Sequence, residues 1–367
     1  MRGRRPGKPE RRPLAMHAFQ LSPERLRFAD TRSGVFMKVL RSIVIALAAV
    51  LSACAPAKKV SHAASGLTPI RFATDWRAEA EHGGFYEALA EGEYAKRGLA
   101  VRITQGGPGV NVPQLLAAGS VDLGVGSNGF IVLNLAQEKV PVKAVAAFFQ
   151  KDPQVLIAHP GAGVETLADL KGHPILLGDA SVTTFWIWLK AKYGFTDDQV
   201  RKYTFNNSPF LADNRAAEQG YVTSEPYTIE KEAGLKPKVF LLADNGYPGY
   251  ATMILAPDAL IARNPLAVKA FIEATAKGWQ DYLHGDPRPA DALILKENPE
   301  MTQDVLDQAR AKLVANAIVE DGEAKTAGIG AMTDARWRSF FDMASSTGVY
   351  PKTLDFKQAY TLQFVNK

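Results

Sequence analysis

One cysteine, Cys54, stands in 367 residues, so no disulfide can form within the chain. The six histidines are scattered, and none has the H-x-x-x-H or H-E-x-x-H spacing that a helix uses to grip zinc. The longest apolar run, Ile43–Leu51, is nine residues, well short of the roughly 20 a membrane-spanning helix needs. A basic field is also missing. The net charge is +5, but residues 1–36 alone carry nine Lys/Arg against three Asp/Glu, so the rest of the chain is slightly acidic. A nucleic-acid partner is therefore not expected. The loop Gly106-Gly107-Pro108-Gly109 lacks the Lys-Ser/Thr of a nucleotide loop, and its proline removes one backbone donor. It reads as a turn beside a site, and no cofactor is called for.

What is present begins with a leader. Met37-Lys38-Val39-Leu40-Arg41 is a basic start, Ile43–Leu51 an apolar core, and Leu51-Ser52-Ala53-Cys54 follows with small residues before the cysteine. This is a signal-peptide layout, and its last four residues resemble the bacterial lipobox. The resemblance implies cleavage before Cys54 and acylation of its thiol, which holds the protein to a membrane surface through lipid. With that thiol consumed, thiolate catalysis and Cys-ligated metal are excluded. We expect residues 1–36 to be an extension preceding the working start at Met37, residues 37–53 the signal peptide, and 54–68 a tether.

From residue 69 onward strands and helices alternate with short joints, the pattern of an α/β fold with mainly parallel sheets. Strand Ile70–Thr74, helix Phe85–Arg97 and strand Leu99–Thr104 open the first unit. The rhythm restarts at Val155–Ala158 and runs through Ile175–Leu177, Tyr203–Asn206 and Gly220–Thr223. Strand-like runs return at Val239–Leu242 and Tyr250–Ala256, and a mostly helical tail follows. Two lobes are expected, one from 69–150 and 246–367, the other from 151–245, joined by two crossovers with a cleft between.

The densest chemistry lies in Asp75-Trp76-Arg77-Ala78-Glu79-Ala80-Glu81-His82-Gly83-Gly84-Phe85-Tyr86, a strand-to-helix turn. In an open α/β sheet ligands sit at such turns. Two glycines opening the helix would leave backbone N–H groups free there.

The segments Asp-Trp…His-Gly-Gly-Phe-Tyr, Gly-Glu-Tyr-Ala-Lys-Arg-Gly-Leu-Ala-Val and Leu-Leu-Ala-Ala-Gly-Ser-Val-Asp-Leu-Gly-Val resemble a known family. It comprises the solute-binding proteins of ABC importers for alkanesulfonates and thiamine-pyrimidine precursors, and it includes the fungal thiamine-pyrimidine synthases. The resemblance covers about residues 69–290, and the Asp-Trp start is most similar to the pyrimidine branch. It implies a two-lobed periplasmic-binding fold of type II closing on a small ligand. It further implies permease and ATPase partners, a cell-envelope location and a monomer.

The expected lining is Asp75, Trp76, His82 and Tyr86 from the first turn, Ser127 and Asn128 after the third strand, and Ser181, Thr183 and Thr184 before a second-lobe helix. Glu225, Tyr227 and Tyr250 complete it. Asp75 and Glu225 would accept hydrogen bonds from amino or ring N–H groups and repel an anion. Trp76, Tyr227 and Tyr250 offer flat faces to a planar ring. An aminopyrimidine fits that set, whereas the hydroxyls of Ser181–Thr184 would suit nitrate or a sulfonate; riboflavin is a further alternative. The family resemblance also raises the synthase reading. Its lysine and donor histidine would fall at Gly126 and Phe130 here, which leaves a Schiff-base step without an amine. The chain is therefore expected to bind rather than catalyse.

Overall fold

The computed structural model describes residues 66–107 and 109–366. Cys54, the signal segment, the extension and most of the tether lie outside the described residues. Among them no helix is long and apolar enough to cross a membrane.

Two five-stranded sheets organise the chain. Sheet 1 is built from β1 (Thr68–Ala73), β2 (Leu99–Thr104), β3 (Leu123–Asn128), β4 (Val142–Phe149) and β10 (Ala251–Pro257), in the order β2-β1-β3-β10-β4. Sheet 2 takes β5 (Gln154–Ala158), β6 (Ile175–Leu177), β7 (Val200–Lys202), β8 (Ala217–Tyr221) and β9 (Lys238–Leu241), in the order β7-β6-β8-β5-β9. Helices flank both sheets, giving the two-lobed α/β architecture.

Within each sheet the pairing is mixed rather than mainly parallel. β1 pairs parallel with β2 and β3, and β6 with β7 and β8. β10 is antiparallel to β3 and β4, and β5 to β8 and β9. The crossovers explain this. The chain leaves sheet 1 along β4 and returns along β10, so neighbouring strands carry opposite directions, and β5 and β9 mirror them on the other side. Alternating strand-helix rhythm reports the parallel pairs and is silent about the strands that change lobe.

The second lobe also differs locally from its sequence pattern. Strand β7 ends at Lys202, so residues 203–206 form an irregular loop instead of a strand. Between that loop and β8 stands a short helix, Ser208–Ala212.

The glycines of the first turn carry a correction. A Cβ at Gly83 would stand 2.1 Å from the Tyr282 ring and one at Gly84 2.3 Å from Trp279. Both glycines are buried where the Gly83–Ala90 helix crosses the Pro265–His284 helix, and Gly278 meets the Gly84 carbonyl from the other side. Helix-on-helix contact, and not a ligand, claims this surface.

Candidate functional site

The β1 end is braced before it presents anything. Gly106 N–H donates to the Trp76 carbonyl at 2.9 Å and to Thr74 Oγ1 at 3.1 Å. Gln105 accepts from the Ala78 N–H at 2.9 Å, and Asn298 donates to the Ala78 carbonyl at 2.8 Å. A Cβ at Gly106 would lie 2.5 Å from the Thr74 carbonyl, so this loop must be glycine to pack there. The loop 74–79 is thus pinned by backbone bonds, which fixes side chains with little entropy left to lose.

Asp75 is the node. His82 Nε2 lies 3.1 Å from its Oδ1, and the Ser127 hydroxyl donates to its Oδ2. Burial pushes the Asp75 carboxyl up, but the bonds from His82 and Ser127 outweigh it and hold the group below its ordinary value. His82 is only 3% exposed, and its Nδ1 has no partner. Ser127 and His82 both bond the Asp75 carboxylate and not each other, so the trio lacks the serine–imidazole contact of a nucleophile relay.

Around this node carboxyl groups accumulate. Burial, then Glu81, Asp75 and Glu225, push the Glu79 carboxyl well above its usual range. Burial also raises Glu81, against a hydrogen bond from the Thr223 hydroxyl of the opposite lobe. Burial pushes Glu225 up to about 7, although its Oε2 accepts the Tyr221 N–H at 2.8 Å. The group therefore sets a carboxyl held below its ordinary value, Asp75, beside three pushed above theirs, Glu79, Glu81 and Glu225. Glu79 and Glu81 were not singled out in the sequence because helix-flanking glutamates are ordinarily solvated, whereas here Glu81 is buried and Glu79 partly so.

One aromatic pair spans the lobes. Trp76 and Phe205 approach with centroids 5.7 Å apart and planes tilted by 41°. Phe205 is 62% exposed and sits at φ +58, a left-handed conformation unusual for a bulky residue. A left-handed backbone costs a bulky residue roughly 1–2 kcal/mol, so the fold holds this ring out at some expense. No sequence signal separated this phenylalanine from an ordinary strand residue.

The other expected lining residues are placed as follows. Asn128 accepts from the Phe130 N–H and so caps the Gly129–Gln137 helix. Thr183 and Thr184 donate to the Ala180 carbonyl at 3.0 Å, which commits their protons to their own turn; Ser181 is buried beside them. The helix there, Asp179–Val182, has four residues, too few for a useful dipole. Tyr86 is fully buried and donates to Glu297 at 2.9 Å. Tyr227 donates to Asp304 at 2.7 Å on the outer side of the lobe contact. Tyr250 is buried, with its hydroxyl taking the Thr333 N–H and its ring under Arg336. The structure thus brings together Asp75, Trp76, His82 and Ser127, with Glu225 close by, and engages the three tyrosines elsewhere.

Glu218 stands apart. It is 0% exposed and neither carboxyl oxygen has a hydrogen-bond partner. Burial, helped by Glu225 and Glu232, pushes it up to about 8. The folded chain keeps a proton that the unfolded chain releases near pH 4.3. Glu218 therefore favours folding least above pH 8, and its unfavourable contribution grows as pH rises from about 4.5 to 8. Urea midpoints are expected to fall between pH 5.5 and 8.5, and Glu218→Gln is expected to flatten part of that slope. An unchanged slope in the variant would remove Glu218 from the account.

Two mixed sheets joined by two crossovers, with charged and aromatic groups meeting between them, are the architecture of periplasmic binding proteins. The periplasmic aliphatic sulphonate-binding protein SsuA from Escherichia coli superposes with a TM-score of 0.60 at 14% identity, covering 80% of this chain and 92% of that one. A putative sulfonate ABC transporter protein, SsuA from Methylobacillus flagellatus, gives 0.58 at 16%, covering 82% and 93%. More particularly, the family described as NMT1/THI5 like matches residues 79–290, over half of the chain, and the chain belongs to that family. Among named relatives, the riboflavin-binding protein RibY of Chloroflexus aurantiacus is 26% identical over 347 residues, 90% of this chain and 96% of its own length.

Proposed function

We propose that this chain is the solute-binding component of an ABC importer, held outside the cytoplasm by lipid on Cys54, and that it captures a planar nitrogen heterocycle between its lobes. An aminopyrimidine of the thiamine-precursor type is the ligand the site favours. The observation that carries this reading is the Trp76–Phe205 pair, one ring from each lobe, beside the Asp75 and Glu79 carboxyls. Two aromatic faces suit a flat ring. A carboxyl held below its ordinary value, beside others pushed above theirs and the buried His82 imidazole, suits the acceptors and donors on amino and ring-nitrogen edges. An anion would meet a cluster of carboxyl groups, Asp75, Glu79, Glu81 and Glu225, which disfavours it. Permease and ATPase partners, and action as a monomer, follow from the importer reading.

The resemblance to a protein named for riboflavin supports a second reading in which an isoalloxazine fills the same slot. Both ligands are flat and carry N–H groups, so the aromatic pair serves either.

Isothermal titration with hydroxymethyl- and formylamino-pyrimidines, riboflavin, taurine and nitrate tests this. Binding of a pyrimidine is expected, weakened at least tenfold by Asp75→Asn through loss of a charge-assisted bond worth roughly 1.5–3 kcal/mol. Riboflavin binding alone would move the ligand to the isoalloxazine class. Tight taurine or nitrate binding would overturn the charge argument.

A further inference from the structure

The two lobes are joined by residues 150–153, between β4 and β5, and 242–250, between β9 and β10. One helix of the C-terminal tail, Gln303–Ala315, belongs to the first lobe yet bonds to the second. Its inner face, Leu306, Ala309 and Leu313, is buried. It packs on the Ala80–His82 turn and on the Pro265–His284 and Arg288–Glu297 helices, all of the first lobe. Both ends are fixed there. Gln303 donates to Asp291 at 2.8 Å. Just past the other end, the Ile318 carbonyl takes the N–H groups of Gln150 and Lys151 at 2.8 and 3.1 Å.

The outer face carries Asp304, Gln308, Lys312 and Asn316, spaced by four and therefore in one row. Gln308 Nε2 donates to the Thr223 carbonyl, in the turn between β8 and the Glu225–Ala233 helix of the second lobe. Asp304 Oδ2 accepts from the Tyr227 hydroxyl at 2.7 Å and from Lys231 Nζ at 2.6 Å, both on that helix. Thr223 is buried, and its hydroxyl donates to Glu81, so the first lobe grips it from two sides. Towards the crossovers the contact loosens: Lys312 and Asn316 face Val222, Pro226 and Leu241 across a groove of about 320 Å³.

We propose that the Gln303–Ala315 helix is a closing clamp, with Gln308 and Asp304 holding the second lobe against the first and so setting the closed fraction of the molecule. Each bond in the set runs from one lobe to the other, so separating the lobes breaks it. Asp304 stands about 20 Å along the helix from Ile318, where the first crossover is attached. A rotation of about 10° across the helix shifts that end by roughly 3 Å, beyond hydrogen-bond reach. The two ties differ in kind. Gln308 satisfies the carbonyl of a buried residue, a group that is costly to leave unmet. The Asp304–Lys231 pair is solvated, with side chains 47% and 56% exposed, and is correspondingly weak and screened by salt. Gln308 is thus the main tie. Both are positioning residues, because the apparent affinity of every ligand scales with the closed fraction.

The test needs no ligand, so its outcome is independent of which heterocycle the cleft takes. Spin labels on the exposed positions Lys236→Cys in the second lobe and Lys269→Cys in the first, with Cys54→Ser, report the inter-lobe distance in the full chain. Gln308→Glu sets a carboxylate against the Thr223 carbonyl in place of a donor. It is expected to raise the ratio of long to short distances at least fivefold, the lower end of what an unmet buried acceptor costs. Asp304→Ala is expected to shift the ratio in the same direction by less, and to lose that difference from the parent at high salt. A merely structural glutamine would lower the melting temperature and leave the distance distribution of the folded protein unchanged. That result in folded Gln308→Glu, or in Gln308→Ala if the first variant does not fold, would overturn the clamp.

Discussion

Gly278→Ala is expected to cost about 3 kcal/mol of stability, at the upper end of overpacking penalties. A Cβ there would stand 2.2 Å from the Gly84 carbonyl and 2.7 Å from both the amide nitrogen and the Cβ of Ala88. Those are mainly backbone atoms of the Gly83–Ala90 helix, which a side-chain rotation cannot move. The helix cannot retreat freely either, because Gly83 and Gly84 are already seated on Tyr282 and Trp279. For a domain of this size the melting temperature should drop by roughly 6–10 °C. Gly92→Ala is the control: Gly92 has φ +70 with nothing near its would-be Cβ, so only the backbone penalty of about 1 kcal/mol applies. If the two variants melt together, steric closeness of the helices is not what Gly278 provides.

The second large effect concerns the ring pair. Trp76→Ala and Phe205→Ala are each expected to weaken heterocycle binding by about 30–100-fold, the scale of a well-packed aromatic anchor. Phe205→Gly separates binding from folding. A residue at φ +58 pays roughly 1–2 kcal/mol for its left-handed backbone, which glycine does not. That variant should melt at the same temperature or higher while losing affinity. Calorimetric titration alongside thermal unfolding reads both; retained affinity with raised stability would mean that Phe205 is only an awkward surface residue.

Much of this was visible in the chain itself. The alternation of strands and helices is a period signal, and it located both lobes and the turn holding Asp75, Trp76 and His82. Ser127 was placed by the same rule, that ligand groups gather at strand ends. What stayed hidden depends on long-range packing. The exposed Phe205 looked like one more strand residue because β7 stops three residues before it. Gly83 and Gly84 looked like a free helix start because the tryptophan and tyrosine that cover them lie nearly 200 residues away. Tyr250 looked like a ligand face and Tyr86 like a lining residue, yet Arg336, Thr333 and Glu297 claim them, partners no local pattern announces. Glu79 and Glu81 take their shifted character from burial and from charges brought together by the fold.

The mixed sheets also set an order of events during synthesis. Sheet 2 draws all its strands from one uninterrupted stretch, Gln154 to Leu241, whereas sheet 1 waits for β10. β4 has no ladder partner in its sheet except β10, and β4 is the apolar run Val142–Phe149. A chain delivered N-terminus first thus completes the second lobe while β4 remains an unpaired, greasy edge, the kind of surface that other nascent chains adhere to. That interval ends when residues 251–257 slot in between β3 and β4, which gives residues 142–149 their ladder partner.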